Sequence, residues 1–175
     1  MAETRRRSLT GTLARWRVPL GYALAIFVFW IADPTGQSLA LGGAVAAVGE
    51  ALRIWAAGHL EKGREVTTSG PYAFTRHPLY VGSSLMGAGF AIASNSVAVA
   101  VLIGVYLVVT ITAAVRSEEA HLTEKFGGRY PAYRQGQAAG EARRFSLARA
   151  LRNREYRALA GAIATFVLLA AKLLL

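Results

Sequence analysis

Five apolar runs dominate the sequence: Val18 to Ala32, Ser38 to Leu60, Leu79 to Ser94, Val97 to Val115 and Ala158 to Leu175. The charges gather in blocks between them. A helix needs roughly 20 apolar residues, with about 17–25 observed, to cross the hydrocarbon of a bilayer. Backbone amides in lipid must bond within their own segment, so such runs fold as helices. The chain is 54% hydrophobic and 17% charged, well below the quarter or so that is usual in soluble domains. These features predict an all-α integral membrane protein with about five transmembrane helices. Its formal net charge of +10 would suit nucleic acid or anionic lipid. A nucleic-acid binder needs one exposed basic face interleaved with aromatics, whereas these cations sit between apolar spans, so the bilayer is the expected partner.

The placement of Lys and Arg orients the spans. Arg5, Arg6, Arg7, Arg15 and Arg17 precede the first run, and none follows it at Asp33-Pro34-Thr35-Gly36. Lys62, Arg64 and Arg76 follow the second run, and none lies at the Asn95 break. Ten fall between Arg116 and Arg157. All the loop cations then share one side, which the positive-inside rule assigns to the cytoplasm. The first run resembles a signal peptide, but Asp33-Pro34 offers no small-x-small cleavage site, so it reads as a retained span. The organisation expected is a transmembrane core over 1–135, a basic linker over 136–157 and a last span over 158–175. Gly42, Gly43, Ala46, Ala47, Gly82, Ser83, Gly87 and Gly89 mark faces where helices approach closely. Gly87-Ala88-Gly89 follows no strand and lacks a third glycine, so it is not a dinucleotide loop.

The chain has no cysteine, which excludes disulfides, thiolate metal sites and thiol nucleophiles. His59, His77 and His121 follow no metal-ligand spacing, and no metal centre is expected.

Four constellations carry chemistry. In Arg76-His77-Pro78 the proline suits the first turn of a helix, placing a positive dipole end beside two cationic side chains. With Gly70-Pro71-Tyr72 just upstream, this reads as a pocket for a carboxylate or phosphate. The bland alternative is an interfacial anchor. Glu118 and Glu119, at the exit of the fourth span, would suit an ammonium or sulfonium; the alternative is solvation or pairing with Arg116 or Arg53. Tyr130 and Tyr133, after Phe126-Gly127-Gly128, offer flat faces for stacking or cation–π contact, or pack a short amphipathic helix. Glu50 and Arg53 share one face of the second span. They neutralise each other or form the polar wall of a buried site.

Taken in order, these segments resemble the isoprenylcysteine carboxyl methyltransferases and their relatives among membrane phospholipid N-methyltransferases. The resemblance rests on Gly70-Pro71-Tyr72, on Arg76-His77-Pro78-Leu79-Tyr80 with Gly82, and on Glu118-Glu119-x-x-Leu122 leading to Phe126-Gly127, Tyr130 and Tyr133. It covers about residues 40–135. It implies an enzyme that uses S-adenosyl-L-methionine in a cytoplasmic pocket, with a lipid-like acceptor entering between helices. By position, Arg76 and His77 hold the cofactor's carboxylate end, and Tyr72 and Tyr80 form its wall. Glu118 takes the family's acidic position, with Glu119 its neighbour. Tyr130 and Tyr133 close a lid, and the resemblance also implies Gly70, Pro78 and Gly82 as cofactor-binding positions. For catalysis, a carboxylate acceptor would be held by Arg53 or Arg76, and an amine acceptor would lose its proton to Glu118 or Glu119.

The segment after Tyr133 departs from the family. Arg143, Arg144, Arg149, Arg152 and Arg154, with Phe145, Leu147 and Leu151, would suit anionic headgroups. The Ala/Arg-rich composition points to a bacterial inner membrane, where a lipid or other small amphiphile is a more natural acceptor than a prenylated cysteine. Two other classes stay open: an NADPH-dependent reductase of the sterol-reductase type, and a scaffold without catalysis.

Overall fold

The computed structural model describes residues 23, 26–61, 65–127, 129–135 and 143–174. Within these the chain is helical without strands. Residues 26–31 form α1, followed by α2 (Gly36–His59), α3 (Pro78–Ala93), α4 (Val97–Phe126), α5 (Arg129–Arg134), α6 (Leu147–Arg152) and α7 (Tyr156–Ala171). Short 3₁₀ turns cover Gly70–Ala73 and Lys172–Leu174.

Among the described residues, three helices are long and apolar enough to cross a membrane: Gly36–His59, Val97–Phe126 and Tyr156–Leu174. Their large apolar side chains point outward, among them Val101, Val105 and Val108 on α4 and Ile163, Val167 and Leu168 on α7. This is the integral membrane protein that the apolar runs predict. Helix α3 has 16 residues, or about 24 Å, and is short for a full span. Residues 18–22, 24 and 25 of the first expected span, Val18 to Ala32, lie outside the described residues, as do the cations of the N-terminal tail and Lys62 and Arg64.

Helices α2 and α3 meet backbone to backbone. A Cβ placed on Gly49 would sit 2.7 Å from the Gly82 carbonyl and the Met86 amide, and one on Gly89 would sit 2.6 Å from the Ala46 amide and the Gly42 carbonyl. At the turn end of this pair, a reciprocal cap starts α2. Thr35 Oγ1 accepts from the Ser38 amide at 3.1 Å, and Ser38 Oγ accepts from the Thr35 amide at 2.9 Å. Ser38 Oγ also donates to the Ala93 carbonyl at 3.1 Å, tying the start of α2 to the end of α3. The chain turns into α4 at Asn95, whose φ of 49° an asparagine tolerates. Ala32, Ala93 and Leu169 pack together here with Phe166, and Lys172 Nζ donates to the Phe29, Trp30 and Ala32 carbonyls. The ends of α1 and α7 therefore meet at one end of the bundle, opposite the polar connections.

Helix α4 runs past its expected end at Val115. At 30 residues it is about 45 Å long, against roughly 30 Å of hydrocarbon. Good helix formers, Glu118, Glu119, Ala120, Leu122, Glu124 and Lys125, carry it outward until Gly127 stops it at φ 54°.

Residues 143–155, expected as part of a linker, dock on the end of α2. Asn153 Nδ2 donates to the Ala57 and Leu60 carbonyls, both at 2.9 Å. The Arg149 guanidinium and the Ser146 amide donate to the Gly58 carbonyl at 2.6 and 3.1 Å. Carbonyls that a helix C-terminus leaves unpaired are thereby satisfied. Glu61 anchors the clasp, accepting from Arg149 at 2.8 Å and Arg152 at 3.0 Å, with Arg143 at 3.6 Å.

Two predictions follow from these contacts. Gly89→Leu overpacks the α2–α3 contact and costs about 1–3 kcal/mol or more, read as a lower thermal midpoint in detergent. Gly104→Ala, where an added methyl meets nothing within 4 Å, leaves the midpoint unchanged or raises it. The second concerns pH. The Arg149 hydrogen bond, then the charges of Arg152, Arg149 and Arg143, hold Glu61 below its ordinary 4.5 against an opposing push from desolvation. A carboxyl depressed in the folded state stabilises it above its unfolded pKa and loses that effect as pH falls through the folded value. Hydrogen exchange over 143–153 is therefore expected to accelerate as pH drops below about 4.5 after correction for intrinsic rates, and Glu61→Gln removes that pH dependence.

Candidate active site

The site is built where the polar connections gather, from the 70–77 loop, the first turns of α3, the outer end of α4, and α5. Ser69 leads into the Gly70–Ala73 turn, with Pro71 in its first turn; the Phe74 and Thr75 amides both donate to the Pro71 carbonyl at 3.1 Å. Gly70 has φ 60° and lies against the His59 ring, where a Cβ would come within 2.7 Å. Its requirement here is one of backbone conformation and of packing. Pro71 and Tyr72 are buried, Phe74 is 85% exposed, and Ser69 Oγ is buried without a hydrogen-bond partner.

Pro78 opens α3 as its first-turn proline, with His77 as the cap residue. The helix end offers fewer amides than the sequence suggests. Proline has none, and the Tyr80 and Val81 amides already donate to the His77 carbonyl at 3.0 and 3.1 Å. The donors this end can offer an anion are therefore mainly the Arg76 and His77 side chains.

The two acidic residues differ in placement. Glu119 Oε1 gathers Arg76 at 3.4 Å, His77 Nε2 at 3.2 Å and the Tyr130 hydroxyl at 3.4 Å. Glu118, which the resemblance places in the acidic role, is exposed. The three contacts to Glu119 are long for charge-assisted bonds, which run about 2.7–2.9 Å when tight. Arg76 is 43% exposed at its side chain. The cluster joins its three elements while leaving the Arg76 guanidinium accessible; His77 is 16% exposed at its side chain and Tyr130 is buried.

Tyr130 and Tyr133 stack at 6.2 Å between ring centres, and the Tyr133 hydroxyl donates to the Tyr72 carbonyl at 2.7 Å. Helix α5 is thus latched over the loop. Burial, with the Glu119 carboxylate next, raises the Tyr130 phenol to about 12. Burial also raises Tyr133. Tyr72 is pushed up by burial first and then by the nearby Glu118 carboxylate. All three phenols therefore remain hydrogen-bond donors near neutral pH. Tyr80 stacks against the His77 ring at 5.8 Å.

Arg53 and Gly82 lie one layer deeper. A Cβ on Gly82 would clash with the Gly49 carbonyl and the Arg53 stem, so this glycine serves the helix contact. Arg53 lies 3.8 Å from Glu50 and 2.6 Å from Glu155, and also donates to Ser83 Oγ and the Leu79 carbonyl. Sequence reasoning paired Arg53 with Glu50 and missed Glu155, because Glu155 was read as linker. Its position at the start of the last apolar helix was the available signal. A cleft of about 470 Å³ opens at the other end of the bundle, by Thr35, Leu41, Ile92, Asn95 and Val97. No titratable group lines it. Among the described residues, no group of three or more His, Cys, Asp or Glu is close enough to hold a metal ion.

These features define a polytopic membrane protein with a charged, aromatic-walled site at one end of its helices. The chain matches the phospholipid methyltransferase family over residues 16–129 and belongs to it, in agreement with the resemblance carried by its motifs. It is 31% identical over 121 residues to the cobalt-zinc-cadmium resistance protein CzcN of Cupriavidus metallidurans, covering 63% of this chain and 55% of that protein. It is 29% identical over the same length, with the same coverage, to the nickel-cobalt-cadmium resistance protein NccN of Alcaligenes xylosoxydans xylosoxydans. The chain thus spans about half the length of these curated relatives. No solved structure matches it.

The geometry predicts unequal roles for the two glutamates. Glu119→Ala loosens the α3–α4–α5 junction and lowers stability by up to about 1 kcal/mol, whereas Glu118→Ala stays within about 0.5 kcal/mol of the parent. Thermal or denaturant unfolding in detergent reads the difference.

Proposed function

We propose that this protein is an S-adenosyl-L-methionine-dependent methyltransferase acting on a lipid-like or amphiphilic acceptor at the cytoplasmic membrane face. The observation that carries the reading is the convergence of Arg76, His77 and Tyr130 on Glu119, in a chain whose family is that of the phospholipid methyltransferases. The donor set fits such a cofactor. Arg76 and His77 supply N–H donors for a carboxylate, and Glu119 and Glu118 suit an ammonium. The tyrosine faces suit an adenine or sulfonium. The unpartnered Ser69 hydroxyl adds a free polar group to the same loop. When bound, the cofactor supplies an activated methyl group.

The chain's own residues then position and exclude water. Arg76 and His77, which contact Glu119 here, would hold the cofactor's carboxylate, and Glu119 would hold its ammonium. Tyr133, held on the Tyr72 carbonyl, and Tyr130, held on Glu119, cover the site. Tyr72 and Tyr80 form its wall, while Gly70, Pro78 and Gly82 set the backbone that carries them. The names of the two relatives associate them with metal resistance. For this chain we read the corresponding role as modification of an acceptor in the membrane, with the active site on the cytoplasmic side of a bacterial inner membrane.

The test is transfer of radiolabelled methyl from S-adenosyl-L-methionine into native membrane extract by the purified chain, with mass spectrometry of the product. A labelled lipid or amphiphile is expected, with Arg76→Ala reducing transfer at least about tenfold, or about 1.4 kcal/mol. No transfer, together with tight binding of NADPH, would contradict the reading in favour of a reductase.

A further inference from the structure

Glu50 stands out among the buried groups. Its side chain is 6% exposed, and neither carboxylate oxygen has a hydrogen-bond partner. Its nearest cation, Arg53, is 3.8 Å away and is engaged elsewhere. Arg53 binds Glu155 at 2.6 Å and also donates to Ser83 Oγ and the Leu79 carbonyl. Two carboxylates thus share one guanidinium, and with both ionised the cluster carries one uncompensated negative charge within a membrane-spanning helix. Ionisable groups at such depth pair or line a functional cavity, because an unpaired buried charge is costly.

The cluster adjoins the candidate cofactor site. Leu79, whose carbonyl holds Arg53, is two residues past His77. Behind burial, the Glu118 and Glu155 carboxylates both help to push the Tyr72 phenol up. Arg53, at 20% exposure, forms the rim of the cluster, and Glu50 its floor.

We propose that Glu50 recognises the methyl acceptor, taking an ammonium headgroup at the site it forms with Arg53, Ser83 and Glu155. This rests on the methyltransferase reading and deepens it. A carboxylate acceptor would need a free cation, and Arg53 is already held by Glu155. An ammonium instead supplies the charge and the N–H donors that Glu50 lacks. In the step, the Glu50 carboxylate takes one proton from the ammonium, leaving a neutral amine. The amine lone pair forms the N–C bond to the methyl carbon of a methylsulfonium donor as the C–S bond breaks and its electron pair stays on sulfur. The products are an N-methylammonium, a thioether and a protonated Glu50, which returns its proton to solvent. Glu155, contributed by the C-terminal segment, is the positioning residue that keeps Arg53 turned from Glu50.

The full chain in nanodiscs tests this with octylamine and octanoate as matched probes. Octylamine is expected to accept label from S-adenosyl-L-methionine and octanoate is not. Glu50→Gln, close in shape, should raise KM for octylamine at least about tenfold and leave S-adenosylhomocysteine affinity within about twofold. A second measurement is independent of any variant: octylamine, and not octanoate, should raise the thermal midpoint of the unaltered chain bound to S-adenosylhomocysteine. Methylation or stabilisation by octanoate with octylamine inert overturns the proposal, as does a Glu50→Gln chain that methylates octylamine like the parent. If the unaltered chain fails to bind S-adenosylhomocysteine, the methyltransferase reading itself falls; if it binds but Glu50→Gln changes nothing, this inference falls alone.

Discussion

The backbone contact between α2 and α3 is the constraint on which the rest depends. Gly42 and Gly49 on one helix meet Gly89 and Gly82 on the other, close enough that a methyl group at these positions would overlap backbone atoms. Association of helices in lipid draws little on the hydrophobic effect and relies on such close packing. The contact fixes the register of the pair. That register puts Arg53 beside the first turn of α3, where it reaches the Leu79 carbonyl and Ser83. It also places the end of α2 next to the 70–77 loop, with His59 against Gly70.

Two outlying segments then complete the functional end. Helix α4 extends beyond the hydrocarbon and brings Glu119 to Arg76 and His77, while α5 folds back so that Tyr133 reaches the Tyr72 carbonyl. From the other side, residues 143–155 close on the end of α2 through Asn153, Arg149 and Glu61, and deliver Glu155 to Arg53. Acidic residues thus take part on two levels. Glu119 holds the outer donors loosely at the interface, and Glu155 holds Arg53 tightly below it. An outer site with an exposed guanidinium suits a water-soluble cofactor, and a deeper buried carboxylate suits a group that arrives from the bilayer.

Much of this was legible in the sequence because lipid imposes simple rules. Apolar runs became helices, the small residues marked the α2–α3 contact, and Pro78 started α3. The Arg76-His77 pair, the glutamates and the tyrosines were recognisable as a group; of these, Arg76, His77 and Tyr130 meet at Glu119, and Glu118 stays exposed. Three things were not legible. Hydropathy alone could not show that α4 continues past Val115, since its last turns are held by helix propensity and not by burial. It could not tell Glu118 from Glu119, because adjacent helical residues point about 100° apart and the facing partner decides between them. Nor could it show that Arg53 prefers Glu155, a partner about a hundred residues away, to Glu50 on its own helix. Such pairings depend on tertiary placement, and the charged stretch that supplies Glu155 looks like a solvated linker.

Hydrogen exchange with and without S-adenosylhomocysteine tests most directly whether loop, α4 extension and α5 form one site. The account predicts that the ligand slows exchange together in residues 68–80 and 118–134, with the Thr35 and Asn95 turns at the other end of the bundle unchanged. Protection confined to the Thr35–Asn95 end, or appearing in one of the two segments without the other, would contradict it.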